Sequence, residues 1–455
     1  MPLSAAKIRR SKRQNEKSFV VYYTNTKNRD RDMKIVAIVL FVLMYVLLIA
    51  LPKRRAIVAL ATAVLFIISG ILPLAKVPAA IDWNVLLMIL GTLLLVDYFI
   101  ESKMPNLVAD KLLNLAPNVM WVTILMSLFS GIISAFIDNV ATLLMVAPVG
   151  LAICKKLKIN PVPMIISIAV SSNLQGAATL VGDTTSIMLA SYAGMDFNDF
   201  FWMKGRPGIF FAVELGAIVT VPIMMFLFRK DKEPAGSSDK TVVGDYVPTI
   251  MMIAHVVFLV IASFIPGKPE ITNGVICMAC GVIGMIWEYI KDKDKDRLVR
   301  VIKNLDYDTL LLLTGLFAVI AGITEVGVID DLAGIIARVG GTNLFLLFTI
   351  VVWGSMLISA FIDNIPYVAT MLPVLQGVTL AMGIEPYLLY FGLLCGATLG
   401  GNMTPVGASC NIAGVGMLRK EGHEVSFKDF GRIGIPFTLA ATLAAYVFLW
   451  VFWSR

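Results

Sequence analysis

Charge is what this chain has least of. Only 15% of its 455 residues are Asp, Glu, Lys or Arg, where a globular domain carries about 25%. At 58% hydrophobic, and with a mean hydropathy of +0.83, it is too apolar for a soluble fold. Histidine is scarcer still: His255 sits in an apolar run and His423 in a polar one, and nothing around them makes a metal set. Five cysteines (Cys154, Cys277, Cys280, Cys395, Cys410) lie in or beside apolar segments. Cys277-x-x-Cys280 has no second pair, so these read as small buried hydrophobes rather than a zinc or redox site. A glycine loop ending in Lys-Ser/Thr is missing, which argues against a self-contained ATPase and leaves an ATPase partner chain open. No aromatic-basic pattern for nucleic acid is present; the net charge of +7 sits in loops and the N-terminal tail, which fits topology and lipid contact. No cofactor and no enzymatic activity are expected.

What is there is a series of apolar stretches, each about 18–25 residues and long enough to cross ~30 Å of hydrocarbon. Residues 1–33 are basic with no apolar run, so we expect a solvated tail and no cleavable signal peptide. Spans follow at 34–51, 56–74 and 85–100, then an amphipathic stretch at 106–115 suited to the interface. Two apolar arms, 119–137 and 140–157, meet at Asp138-Asn139 with no turn residues between them. This reads as a re-entrant hairpin whose tip lies deep in the bilayer, where polar backbone needs a protein- or water-lined cavity. Residues 162–194 are apolar at both ends but polar from Ser171 to Ser186, the pattern of a helix broken near the midplane. A crossing at 208–228 closes this half, and a polar linker at 229–246 follows.

The second half, 247–455, repeats the first. Ser134-Ala-Phe-Ile-Asp-Asn139 returns as Ser359-Ala-Phe-Ile-Asp-Asn364, 225 positions on, and Pro148, Gly176, Thr179 and Gly182 fall on Pro373, Gly401, Thr404 and Gly407 at the same offset. Its elements are spans at 247–265 and 273–290, a charged loop at 291–297, a span at 309–325, an amphipathic stretch at 328–338, arms around Asp363-Asn364, a broken segment at 387–417 and a crossing at 433–453. The fold class is an all-α polytopic membrane protein of two repeats, 34–228 and 247–455, each with five crossings (one broken) and one re-entrant hairpin. An odd count inverts the second repeat. Lys and Arg concentrate at 53–55, 155–158, 229–240, 291–303 and 419–432, which the positive-inside rule places in the cytoplasm if the N-terminus is outside. The basic tail runs against that rule; the short loops decide the orientation, in a multi-pass protein of the cell membrane.

An intramembrane carboxylate is costly enough to be a functional candidate by default. Asp138, Asn139, Asp363 and Asn364 supply hard oxygens and are candidates for Na+ or a proton. The broken segments add Asn173, Thr179, Gly182, Asp183 and Thr184 in the first copy, and Asn402, Thr404, Gly407, Ser409 and Asn411 in the second. Half-helix N-termini in such segments also face anions. Asp183 has no counterpart, its partner position being Ala408; it either caps a half-helix or takes part in coupling. Glu214, in the crossing at 208–228, either relays protons or pairs with a base. The bland reading, polar groups that only glue helices, leaves the duplication unexplained.

At these motifs the chain resembles the ion transporter superfamily, in the branch joining arsenical pump membrane proteins, a class of sodium–proton antiporters and the melanosomal P protein (a citrate transporter-like domain, related to divalent anion–sodium symporters). Ser134 to Thr142, Ser172-Asn173 through Asp183, and Gly400 to Asn411 with Glu421-Gly422 carry the resemblance. It implies a scaffold domain and a transport domain that moves as an elevator, often in a homodimer. The related dicarboxylate carriers have Ser where this chain has Asp138 and Asp363, and a carboxylate there disfavours a dianion. The branch usually follows the first Gly-Asp with Pro-Pro-Asn, where this chain has Thr184-Thr185-Ser186. The expected function is secondary active transport coupling Na+ or H+ to a small ion, cation–proton exchange ahead; the alternative is arsenite/antimonite or organic-anion (citrate-like, dicarboxylate) transport. An intramembrane aspartyl hydrolase using Asp138 and Asp363, or a passive channel, is the reading from another class.

Overall fold

The computed structural model describes residues 31–235, 241–293, 295–341 and 343–454. The expected tail up to residue 30 and the middle of the expected linker, 236–240, lie outside the described residues. The first half builds helices α1 (Arg31–Ala50), α2 (Arg55–Ile68), α3 (Val77–Ala80), α4 (Trp83–Glu101), α5 (Met104–Leu115), α6 (Val119–Ser134), α7 (Asn139–Leu157), α8 (Val162–Gly176), α9 (Thr184–Ala193) and α10 (Ile209–Leu227). The second builds α11 (Val247–Ala262), α12 (Thr272–Asp292), α13 (Lys295–Asn304), α14 (Tyr307–Glu325), α15 (Val328–Gly340), α16 (Leu344–Ser359), α17 (Asn364–Met382), α18 (Tyr387–Gly400), α19 (Ser409–Lys420) and α20 (Phe427–Trp453). Among the described residues, eight helices are long and apolar enough to cross a bilayer.

The duplication is kept in the two arms: α6 and α7 have the bounds of α16 and α17 at the same offset. Their first turns are fixed alike. Asn118 accepts the amide of Trp121, and Asn343 that of Leu346, each at 3.1 Å, which satisfies amides that a helix start leaves without partners.

Three local expectations change. The charged stretch 291–297 is not all loop, because α13 begins within it and buries Val301 against Leu94 and Tyr98. The span expected over 56–74 stops at Ile68: the chain turns at Gly70 (φ +75°), and the amides of Ile71 and Leu72 fold back onto the Phe66 carbonyl. A small antiparallel pair, β1 (Trp202–Met203) and β2 (Arg206–Pro207), turns at Lys204-Gly205, where both φ are positive.

Contacts divide the chain into two units, 1–81 with 311–332, and 82–310 with 333–455. In the first, Gly315 and Gly322 of α14 pack on Ala59 and Phe66 of α2. Ion pairs Lys76–Glu325 (2.7 Å) and Lys34–Asp331 (2.6 Å) lie at its surface, each worth at most about 1 kcal/mol in that setting.

The second unit holds both Asp-Asn motifs. Gly131 of α6 lies against Ser171 and Gln175 of α8, whereas α7 runs the other way, with Gly150 near Ile165 and Asn139 at Ser172 and Asn173. The two arms therefore form a hairpin. Its tip, residues 135–138, sits beside the break between α8 and α9 rather than beside an end of that segment. In the second copy α16 lies along α18, Gly392 at Phe348 and Gly400 at Met356, and the tip meets the break before α19.

Candidate functional site

Each tip is held to its break by the same devices. The Thr179 hydroxyl donates to the Ala135 carbonyl, and the Thr404 hydroxyl to that of Ala360. Gly182 and Gly407 let the backbones close up: a Cβ on Gly182 would stand 2.6 Å from the carbonyl oxygens of Ser134 and Gly176, and one on Gly407 2.6 Å from that of Gly401. At matching positions Ser186 donates to the Gly176 carbonyl (3.3 Å) and Asn411 to that of Gly401 (2.9 Å). Thr179, Thr404, Gly182, Gly407 and Asn411 thus bind protein carbonyls or make room for them.

The two copies meet through amide side chains. Asn139 Nδ2 donates to Asn173 Oδ1 at 2.8 Å, and Asn173 Nδ2 donates to Asn402 Oδ1 at 3.0 Å and to the Thr398 carbonyl at 2.9 Å. Asn402 in turn donates to the Val170 carbonyl at 3.0 Å. Asn173 and Asn402 are fully buried, and a fully partnered network of this kind fixes geometry.

In front of the network lies a cavity of about 50 Å³, lined by Asp138, Asn139, Asp183, Thr184, Asn364 and Ser409 from the sequence-derived set, with Thr92, Asp306 and Thr309 joining them. A water needs roughly 10–15 Å³ by this measure, so the space suits a few waters or a small hydrated ion. Asp138 caps α7, its Oδ1 accepting the amides of Val140 (3.0 Å) and Ala141 (3.2 Å). Asp363 caps α17 through Ile365 N (3.1 Å) and accepts the Ser409 hydroxyl at 2.9 Å. Asp183 occupies the N-cap position of α9 but makes no side-chain cap to the helix amides. Its Oδ2 takes the Thr185 hydroxyl at 2.7 Å and the Asn364 amide at 3.4 Å, which ties the first copy's break to the second copy's tip.

Five helix N-termini therefore converge here: α7, α9, α14, α17 and α19. Each carries roughly half a positive charge, about two and a half in all, against the carboxylates of Asp138, Asp183, Asp306 and Asp363. The site is left about one to two positive charges short of balance. None of the lining residues is Lys, Arg or His. Glu214 stands apart on α10, outside the cavity lining.

Sequence reasoning missed Thr92, Thr185, Asp306, Thr309 and Thr398. The available signal was the echo of Asp82-Trp83 in Asp306-Tyr307, and the fact that Thr398 stands 225 positions after Asn173. Nothing in the sequence places Thr92 at the site.

The model of the family described as citrate transporter (CitMHS) matches residues 45–396 and again 302–455. An uncharacterized transporter of Mycobacterium tuberculosis is 31% identical over 432 residues, covering 92% of this chain and 99% of that protein. The P protein of Homo sapiens is 26% identical over 474 residues, covering 86% of this chain and 56% of the P protein. Among solved structures, the Alcanivorax borkumensis YdaH transporter has a TM-score of 0.55 at 15% identity, covering 86% of this chain and 87% of its own. Neisseria gonorrhoeae MtrF has 0.52 at 14% identity, covering 92% and 94%; at such identities the likeness shows the fold alone. The chain is a polytopic membrane transporter and belongs to the citrate transporter (CitMHS) family.

Proposed function

We propose that the chain is a secondary active transporter coupling Na+ or H+ movement to that of a small ion, with cation–proton exchange as the leading reading. The observation that carries it is the cavity itself, lined by Asp138, Asp183 and Asp306 with no basic residue among the lining side chains. A site about one to two positive charges short of neutrality suits one or two monovalent cations or protons. Na+ would take oxygens from the Asp138/Asn139 and Asp363/Asn364 tips, with Asp183 between them.

In this reading the halves 34–228 and 247–455 are inverted repeats with re-entrant hairpins. The tips and broken helices travel as an elevator once their charge is neutralised, and are held back when empty, because an uncompensated carboxylate crosses a low-dielectric barrier at high cost. The convergence of five helix N-termini favours a second reading, in which an organic anion of the kind the family name indicates enters together with the cation.

The test is a proteoliposome assay with a pH dye inside, imposing Na+, then arsenite, then citrate gradients on the wild type, Asp138→Asn and Asp363→Asn. Sodium-driven proton movement lost in both variants supports exchange. Silence with Na+ but proton-linked uptake of citrate moves the reading to the anion, and full coupled transport in both variants sinks the role given to the aspartates.

A further inference from the structure

The helices around the site also bound a second space. A cavity of about 420 Å³ opens beside Asn84, Ser191, Asp196 and Lys268. It lies at the other end of α4 from Asp306. Gly274, at the start of α12, donates its amide to Asn84 Oδ1 at 2.8 Å, while Gly284 meets Leu95 and Tyr98, so α12 runs parallel to α4. The α11–α12 connection carrying Lys268 thus sits at the N-terminal end of α4, and Leu305, which precedes Asp306, packs by Leu94 and Tyr98 toward the C-terminal end. The site cavity touches α4 between these, at Ile89 and Leu93.

Little separates the two spaces. Ile187 of α9 lines the site cavity and Ala190 lines the other, a distance of about 4.5 Å along a helix. One polar contact ties α9 to the start of α4 at this point. Ser191 donates to Asp82 Oδ2 at 2.5 Å, while Asp82 Oδ1 holds the Val85 amide at 3.1 Å. The equivalent contact in the second copy has no donor. Gly416 stands where Ser191 would be, and both oxygens of Asp306 are taken by Thr309, its amide at 3.1 Å and its hydroxyl at 2.6 Å. Asp306 is exposed at the mouth of the site cavity.

We propose that the Ser191–Asp82 hydrogen bond is a latch that closes the site toward the Lys268 face, and that the space beside Lys268 is the translocated ion's second vestibule. The structure then represents the state open at Asp306 and shut at Asp82, and α9 leaves α4 when access alternates. This rests on the transport reading above, and it names the contact that must break for that transport to proceed. A hydrogen bond to a carboxylate is strong enough to bias such an equilibrium about ten-fold.

The test is labelling by a membrane-impermeant maleimide applied to one face at a time in oriented vesicles. Ile187→Cys is the reporter, and the parent chain, whose five cysteines are buried, is the baseline. With Ser191 in place, the label enters from the Asp306 face. Adding Ser191→Ala raises the rate from the Lys268 face about ten-fold, and Ser191→Thr restores the original pattern. Should Ile187→Cys fail to fold, Val181→Cys reports on the same cavity wall. A Lys268-face rate unchanged by Ser191→Ala overturns the latch. Labelling requires no turnover, so a chain that shows the Ser191 effect but moves no Na+ or H+ keeps the latch and loses the transport reading alone.

Discussion

Asn173 donates its side-chain amide to the backbone carbonyl of Thr398 at 2.9 Å, and Thr398 is the residue that stands in the Asn173 position of the second copy, 225 places on. A residue touching its own counterpart marks where the two copies cross. Asn173 also serves Asn139 and Asn402, so it joins both halves and a tip through one side chain.

Asn173→Ala removes all three contacts and strands the Asn139 amide and the Asn402 oxygen in a fully buried place. We expect about 1–3 kcal/mol for each group left unpaired, read as a lower thermal midpoint of the detergent-purified chain. Asn173→Asp keeps the acceptor for Asn139 but turns a carboxylate oxygen onto the Asn402 and Thr398 oxygens; a buried, unpaired charge costs more than the truncation, and the midpoint of this variant falls below that of Ala.

Gly182→Ala and Gly407→Ala place a methyl 2.6 Å from carbonyl oxygens of the neighbouring turns. Both tips must shift, and transport in proteoliposomes falls at least about 10²-fold, as a 1 Å misplacement of reacting groups does elsewhere. Gly416→Ala is the control. Nothing lies within 4 Å of a Cβ there, and removing a helix-interior glycine stabilises by about 0.5–1 kcal/mol. Equal loss in all three variants would refute the close-approach argument.

Sodium raises the midpoint of the wild type if the cavity binds it. At a concentration one hundred times the dissociation constant the gain is about 2.7 kcal/mol. The gain vanishes in Asp138→Asn, since the substitution removes one of the carboxylates lining the cavity. Choline in place of sodium gives no gain in either chain. A sodium gain of the same size in Asp138→Asn would remove Asp138 from the site.

Ser426→Ala tests the capping box that starts α20, in which the Ser426 hydroxyl accepts the Asp429 amide at 3.2 Å and donates to Asp429 Oδ2 at 2.6 Å. The expected cost is about 0.5–2 kcal/mol of stability, with transport kinetics unchanged above the new midpoint's foot. A shift in ion selectivity would place this end of α20 nearer the site than its contacts do.

Much of this was legible because the sequence is written twice. The bounds of α6 and α7 can be transferred onto α16 and α17, and the breaks were marked by polar residues where a lipid-facing helix cannot have them. Other features were not legible for physical reasons. Val301 and its helix were hidden by the run of charges before them, although Leu298, Val299, Val301 and Ile302 recur at helical spacing. The turn at Lys204-Gly205 owes its form to a left-handed lysine, which no preference would select. Thr179 and Thr404 look like ion ligands in the sequence, and only the fold shows their hydroxyls aimed at Ala135 and Ala360. Thr92 lines the cavity through tertiary placement alone.

The contact between Asn173 and Thr398 also sets a clock on biogenesis. At roughly 5–20 residues per second, a ribosome needs about 10–45 s to make the 225 residues between the two. Through that interval the first half sits in the bilayer with the Asn173 amide and the Asp183 carboxylate lacking their partners from the second half. The nascent half must keep water at its centre or lean on an insertase until its twin arrives, so a chain truncated before Thr398 is a substrate for membrane quality control, not half a transporter.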